Sequence, residues 1–155
     1  MTPWDQGRAE IEQLIASGSL ERVAPDRALA DLMLDEARRH LASSTITIDA
    51  DPTGSFALAY DASRKALAAI LENQGLRATT KGGHRAIEDA VRAQLVPPMK
   101  AELDGFGWMR SLRNSTQYPS MERPLAQAAD TKHAQGFAQD LIEMSAKVLD
   151  VMPPF

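Results

Sequence analysis

The chain has 155 residues, 44% of them hydrophobic and 25% charged, with a formal net charge of −4 and no cysteine. That length and balance suit one soluble domain with a sizeable core, and the missing cysteine excludes disulfides, thiolate catalysis and thiolate metal sites. The slight acidity argues against bulk attraction to nucleic acid or anionic membranes, so any RNA contact needs a local basic patch, such as one built by dimerisation.

Met1-Thr2-Pro3-Trp4-Asp5 lacks a basic region followed by an apolar run. Neither a signal peptide nor a transmembrane span is expected, and the expected location is cytoplasmic. Asp5 suits a helix N-cap, and Ile11, Leu14 and Ile15 then recur at helical spacing up to Gly18. This first helix carries few apolar residues and is expected to pack loosely. Pro25-Asp26 opens a second helix with Leu29, Leu32, Met33, Ala37 and Leu41 as its inner face. It should fade in the run Ser43 to Ile48, which is β-branched and could pass for a strand, but no partner strand is expected anywhere in the chain; helix end or extension is the expectation.

Asp51-Pro52 is a strong helix start, with Asp51 as cap and Pro52 in the first turn. The third helix should run to a glycine stop at Gly75, with Phe56, Tyr60, Ser63, Leu67, Ile70 and Leu71 inward. Its alanines favour helix and permit close approach by neighbours, which marks it as the central element. Residues 77–83 read as a polar turn, and Lys81-Gly82-Gly83 falls far short of a phosphate-loop motif. A fourth helix places Ile87, Ala90, Val91 and Leu95 inward and breaks at Pro97-Pro98. The fifth begins near Met99, carries Leu103, Phe106, Met109 and Leu112, and ends at Tyr118 before Pro119. A connector containing Pro124 follows, and Asp130 is expected to cap a last helix with Ala134, Phe137, Leu141, Met144, Ser145, Val148 and Met152 inward. The expected fold is all-α, a single domain over 1–155. It is a four-helix up-and-down bundle with short additional helices and a core over about 26–152.

Chemistry concentrates at the end of the fifth helix. Arg110, Arg113 and Gln117 share one helical face, with Asn114 beside Arg113 and a phenol at Tyr118. Arginine offers a planar fork of donors matched to phosphate, and tyrosine and asparagine can orient a sugar hydroxyl. The plainer reading is a charged helix end whose arginines cover apolar surface and cap carbonyls. Asp61 and Arg64 stand three residues apart and read as a local ion pair, or as groups lining a cleft beside Arg113. His40, His84 and His133 are far apart and have no metal-ligand spacing, so neither a metal site nor a cofactor is expected.

Arg113-Asn114-Ser115-Thr116-Gln117-Tyr118 resembles the signature of the HEPN superfamily, helical bundles common in toxin–antitoxin and defence systems. That signature is an arginine, often followed by a polar residue such as asparagine, with a histidine a few residues on. The helix from Ala59 through Leu71, and His84 opening a helix after the glycine pair, are also similar to family features. The resemblance spans roughly 26–152. It implies a homodimer acting on RNA, a metal-independent ribonuclease toxin partnered by a cognate antitoxin, with no membrane role. Arg113 and Tyr118 would be catalytic, and Arg110, Asn114, Gln117, Arg64 and Asp61 would bind substrate. Tyr118 departs from the pattern, because it stands where the family has histidine. A phenol ionises near ~10 and is a poor base at neutral pH. The alternative is a non-catalytic helical module that binds a nucleotide or a protein, or serves dimerisation.

Overall fold

The computed structural model describes residues 4–121 and 125–155; Met1, Thr2, Pro3 and Pro124 of the sequence reading lie outside them. The described residues form helices α1 (Arg8–Ala16), α2 (Arg27–Thr47), α3 (Pro52–Gln74), α4 (Gly83–Leu95), α5 (Lys100–Gln117) and α6 (Ala128–Val151). Two short strands, β1 (Leu20–Arg22) and β2 (Leu76–Ala78), complete the fold. The protein is therefore mostly helical.

α3 is the element against which α2, α4, α5 and α6 all pack. Its start follows from the sequence: the Asp51 carboxylate accepts from Gly54 N–H at 2.9 Å, and Pro52 sits in the first turn. Its stop is Gly75, whose φ of 85° is accessible to glycine at little steric cost. Replacing Asp51 with alanine should cost about 0.5–2 kcal/mol of stability, measured as a lower urea midpoint with an unchanged m-value.

The two sides of α3 do different work. Phe56, Tyr60, Leu67, Ile70 and Leu71 belong to a large-residue core with Val91 of α4, Phe106 and Met109 of α5 and Leu141 of α6. Ala62, Ala66 and Ala69 belong to a second core with Ala30, Leu34, Ala37 and Leu41 of α2 and Ala138, Ile142 and Leu149 of α6. Small side chains let the helix backbones approach closely there. This corrects the expected face of α2. Only Ala37 and Leu41 of the expected stripe are buried, and Leu32 is 52% exposed. The alanine surface of α3 selects the stripe of α2 that carries alanines.

α2 does not fade at Ser43 but continues to Thr47. The threonine hydroxyls bond back to carbonyls four residues earlier, Thr45 to Leu41 and Thr47 to Ser43. Buried Ser44 donates to Ser55 O of α3 at 2.6 Å. Tertiary contact and back-bonding thus hold a β-branched run in helix.

Other expectations also shift. α1 starts after Gly7, and Asp5 is not its cap: the Asp5 carbonyl accepts from Arg8 N–H at 3.2 Å and its carboxylate lies 3.7 Å from Arg8 Nε. It is docked rather than loose: Ile11 is fully buried, and Trp4 Nε1 donates to Gln94 O at 3.3 Å. α6 is capped by Gln127, and Asp130 closes a capping box from the third helical position, accepting from Gln127 N–H at 2.9 Å. No strand is expected from the sequence, yet residues 20–22 and 76–78 pair as an antiparallel ladder, Leu20 with Ala78 and Arg22 with Leu76. Gly105 lets α6 pack closely on α5, since a Cβ there would overlap the Phe137 ring.

Candidate functional site

The ends of α4 and α5 and the middle of α3 enclose a polar cleft of about 780 Å³. It is lined by Tyr60, Thr80, Gly82, His84, Arg85, Arg110, Arg113, Asn114 and Tyr118. α5 supplies Arg110, Arg113 and Asn114 from successive turns. The helix ends as expected, with Tyr118 N–H reaching Asn114 O at 3.4 Å just before Pro119. The other half of α5 faces away: Met109 is buried, and Trp108 packs against Phe56, Phe137 and His133.

The opposite wall depends on the small ladder. Thr79 N–H bonds Ser19 O at 3.1 Å and so extends the pairing of β1 and β2 by one residue. Thr79 then receives Gly82 N–H on its hydroxyl at 3.2 Å and Gly83 N–H on its carbonyl at 2.9 Å. Gly82 lies so close to Ser19 O that a Cβ would overlap it. The glycine pair therefore fixes the start of α4 against β1, and the helix delivers His84 and Arg85 to the cleft.

The cleft arginines differ in their commitments. Arg110 Nε donates to buried Glu88 at 2.8 Å, and Arg92 shares the same carboxylate at 3.4 Å. Arg85 is paired with Asp89. Among the described residues no carboxylate pairs with Arg113. Its guanidinium lies 5.5 Å from the Tyr60 ring centroid, and among the described residues its side chain makes one hydrogen bond, to Gln117 Oε1 at 3.4 Å. A half-buried guanidinium over an aromatic face with most donors open is suited to an incoming anion.

Tyr60 joins the two walls. Its ring stacks on Phe106 at 5.4 Å, and its hydroxyl meets His84 Nδ1 at 2.8 Å. Burial pushes the Tyr60 hydroxyl up to about 12, against the pull of Arg113, Arg110 and Arg64. Burial, and then the charges of Arg64 and Arg113, hold the His84 imidazole below its ordinary value of 6.5. A lowered folded value means that the unfolded chain takes up this proton first as the pH falls. Stability should therefore be flat in this group above 6.5 and drop as the pH falls from there through the folded value. His84→Asn should remove that component, seen by comparing urea midpoints at about pH 7.5 and about pH 5.5.

The sequence-predicted residues divide accordingly. Arg113, Arg110, Asn114 and Tyr118 meet in the cleft, with Tyr118 70% exposed at its mouth. Gln117 stands beside it as the partner of Arg113. Asp61 and Arg64 form the expected local ion pair, 2.7 Å apart, with His40 Nδ1 also 2.7 Å from Asp61. They are not among the cleft's lining residues, although the Arg64 charge reaches His84. Burial would raise the Asp61 carboxyl, but Arg64, Lys65 and His40 together bring it below the usual carboxylate value.

Sequence reasoning placed Tyr60 in the core and His84 outside any site. The available signal was the tyrosine in a buried stripe, because a buried phenol needs a hydrogen-bond partner. No family model, curated protein or solved structure matches the chain.

Proposed function

We propose that the protein is a HEPN-like RNA-acting protein, a metal-independent ribonuclease of toxin–antitoxin or defence type. The observation that carries this reading is Arg113: half-buried, over the Tyr60 ring, without a carboxylate partner among the described residues, and sharing a cleft with Asn114, Tyr118 and His84. RNA carries its own nucleophile, the 2′-hydroxyl. A cleft that holds the phosphate and manages one proton in and one proton out is therefore sufficient chemistry for cleavage. Arg113 binds the scissile phosphate, Asn114 and Arg110 position it, and Tyr118 stands where the leaving oxygen can meet solvent.

The same proposal includes an up-and-down arrangement of α2, α3, α5 and α6, supported by the short connector between α2 and α3 and by the packing of α3 on the other three. It also includes a homodimer that adds a second basic cleft to a chain of net charge −4, a cognate antitoxin as partner, and a cytoplasmic location. Among the described residues no helix is long and apolar enough to cross a membrane. The exposed Tyr118, in the place of the motif histidine, is what favours a second reading, a non-catalytic module that holds a nucleotide or RNA in this cleft.

The test is cleavage of single-stranded RNA by the purified protein in excess chelator, with growth of cells expressing it as a second readout. Cleavage dependent on Arg113 supports the ribonuclease. Arg113-dependent RNA binding without cleavage of any RNA, and without growth inhibition, moves the assignment to the binding module.

A further inference from the structure

We propose that His84 is the acid–base residue of the cleft, taking the 2′-hydroxyl proton of bound RNA at Nε2 while Tyr60 holds the ring through Nδ1. This rests on the ribonuclease reading of the same site.

Three observations carry it. Of the described side chains lining the cleft, only His84 belongs to a type that ordinarily titrates near neutral pH; the others are tyrosine, threonine, arginine and asparagine. Its ring is also held in place. Nδ1 is engaged at 2.8 Å by the hydroxyl of Tyr60, a residue only 2% exposed, which leaves Nε2 as the ring nitrogen available to the cleft. Finally, the same Tyr60 ring carries the Arg113 guanidinium at 5.5 Å. One buried aromatic side chain thus sets the spacing between the phosphate-binding group and the imidazole. Tyr118, by contrast, is 70% exposed at the mouth.

The protonation states agree with the geometry. Burial and the neighbouring Arg64 and Arg113 keep the imidazole neutral at pH 7, with Asp61 opposing them, and Tyr60 remains a phenol throughout. In the acting tautomer Nδ1–H donates to Tyr60 Oη, and Nε2 carries the lone pair. The 2′-O–H bond breaks as Nε2 takes the proton, and the 2′-oxygen forms its bond to phosphorus. The bond from phosphorus to the 5′-oxygen then breaks, and that oxygen takes a proton from the Tyr118 phenol. The products are a 2′,3′-cyclic phosphate and a 5′-hydroxyl. The imidazolium returns its proton to the Tyr118 phenolate through solvent, so no redox partner or external acid is consumed.

The experiment uses the full chain with a mixed-sequence single-stranded RNA oligonucleotide and its all-deoxy counterpart, in chelator. Wild type should cleave only the RNA. His84→Ala should lower kcat by about 10²–10⁴-fold with a much smaller change in KM, and added imidazole should restore part of the loss. The wild-type profile should lose activity as the pH falls through the His84 value, and His84→Asn should leave no such acid limb. His84→Asn also serves as the check should the alanine variant unfold. Full kcat in a folded His84 variant, with Arg113→Ala inactive, overturns the His84 assignment and leaves the ribonuclease reading standing. A loss without imidazole rescue and with a wild-type profile lacking the acid limb makes His84 structural, which also overturns it. A wild type that cleaves no RNA, or cleavage indifferent to Arg113→Ala, removes the ribonuclease reading and this proposal together.

Discussion

Arg113→Ala should reduce chelator-resistant RNA cleavage by about a hundredfold to a thousandfold while leaving the fold intact. The magnitude is that of losing one preorganised donor set at the centre where charge develops. The clean separation from stability follows from the local bonding. Among the described residues Arg113 pairs with no carboxylate, so its removal strands no buried charge. What is lost is one long hydrogen bond to Gln117 and a cation–π contact worth about 0.5–1 kcal/mol at a partly exposed site. Arg110 makes a less informative variant, because Arg110→Ala would leave buried Glu88 with only the longer contact to Arg92. Activity and stability would then fall together. Arg113→Lys should recover only part of the activity, since an ammonium keeps the charge but not the fork. Single-turnover cleavage rates, alongside thermal unfolding of each variant, check the set. Unchanged rates in Arg113→Ala would exclude this cleft as the site.

The largest stability effect is expected at Phe106. Its side chain is fully buried and stacks on Tyr60 at 5.4 Å with ring planes 12° apart. Phe106→Ala should cost about 3–5 kcal/mol, a large share of the roughly 5–15 kcal/mol that stabilises a domain. The melting temperature should fall by roughly 6–20 °C. The substitution also reaches the site. Tyr60 loses its stacking partner, and Tyr60 sets the positions of both His84 and Arg113. Cleavage should therefore decline at temperatures where the variant is still folded, and a conservative Phe106→Leu should restore much of both properties. Urea unfolding in parallel with activity separates the two effects. A cost below about 1 kcal/mol, the range of a surface change, would show that the core around Tyr60 re-packs freely.

The local grammar of this chain was legible without the fold. Asp26 and Asp51 cap their helices, Pro52 opens α3 and Gly75 closes it, because each acts within one helical turn of itself. The inner stripe of α3 was legible too: Phe56, Tyr60, Ser63, Leu67, Ile70 and Leu71 are all buried, since a central helix buries nearly any apolar stripe it presents. The face of α2 was not legible. Its periodicity allowed two adjacent stripes, and the alanine surface of α3 chose between them. The β1–β2 ladder was hidden for a similar reason: three-residue strands more than fifty positions apart leave no periodic trace.

The candidate site divides along the same line. Arg110, Arg113, Asn114 and Tyr118 lie within a few residues of one another, so sequence by itself determined that they would share a helix end. It also determined an acidic, cysteine-free chain whose central helix carries tyrosine in its buried stripe. Only the tertiary structure decided that Tyr60 and His84 belong with Arg113, and that Asp61 and Arg64 pair beside the cleft rather than in it. Tyr60 and His84 sit on different helices, 24 positions apart. Which polar group meets a buried phenol depends on how those helices pack, and helical spacing along one segment carries no information about its neighbour.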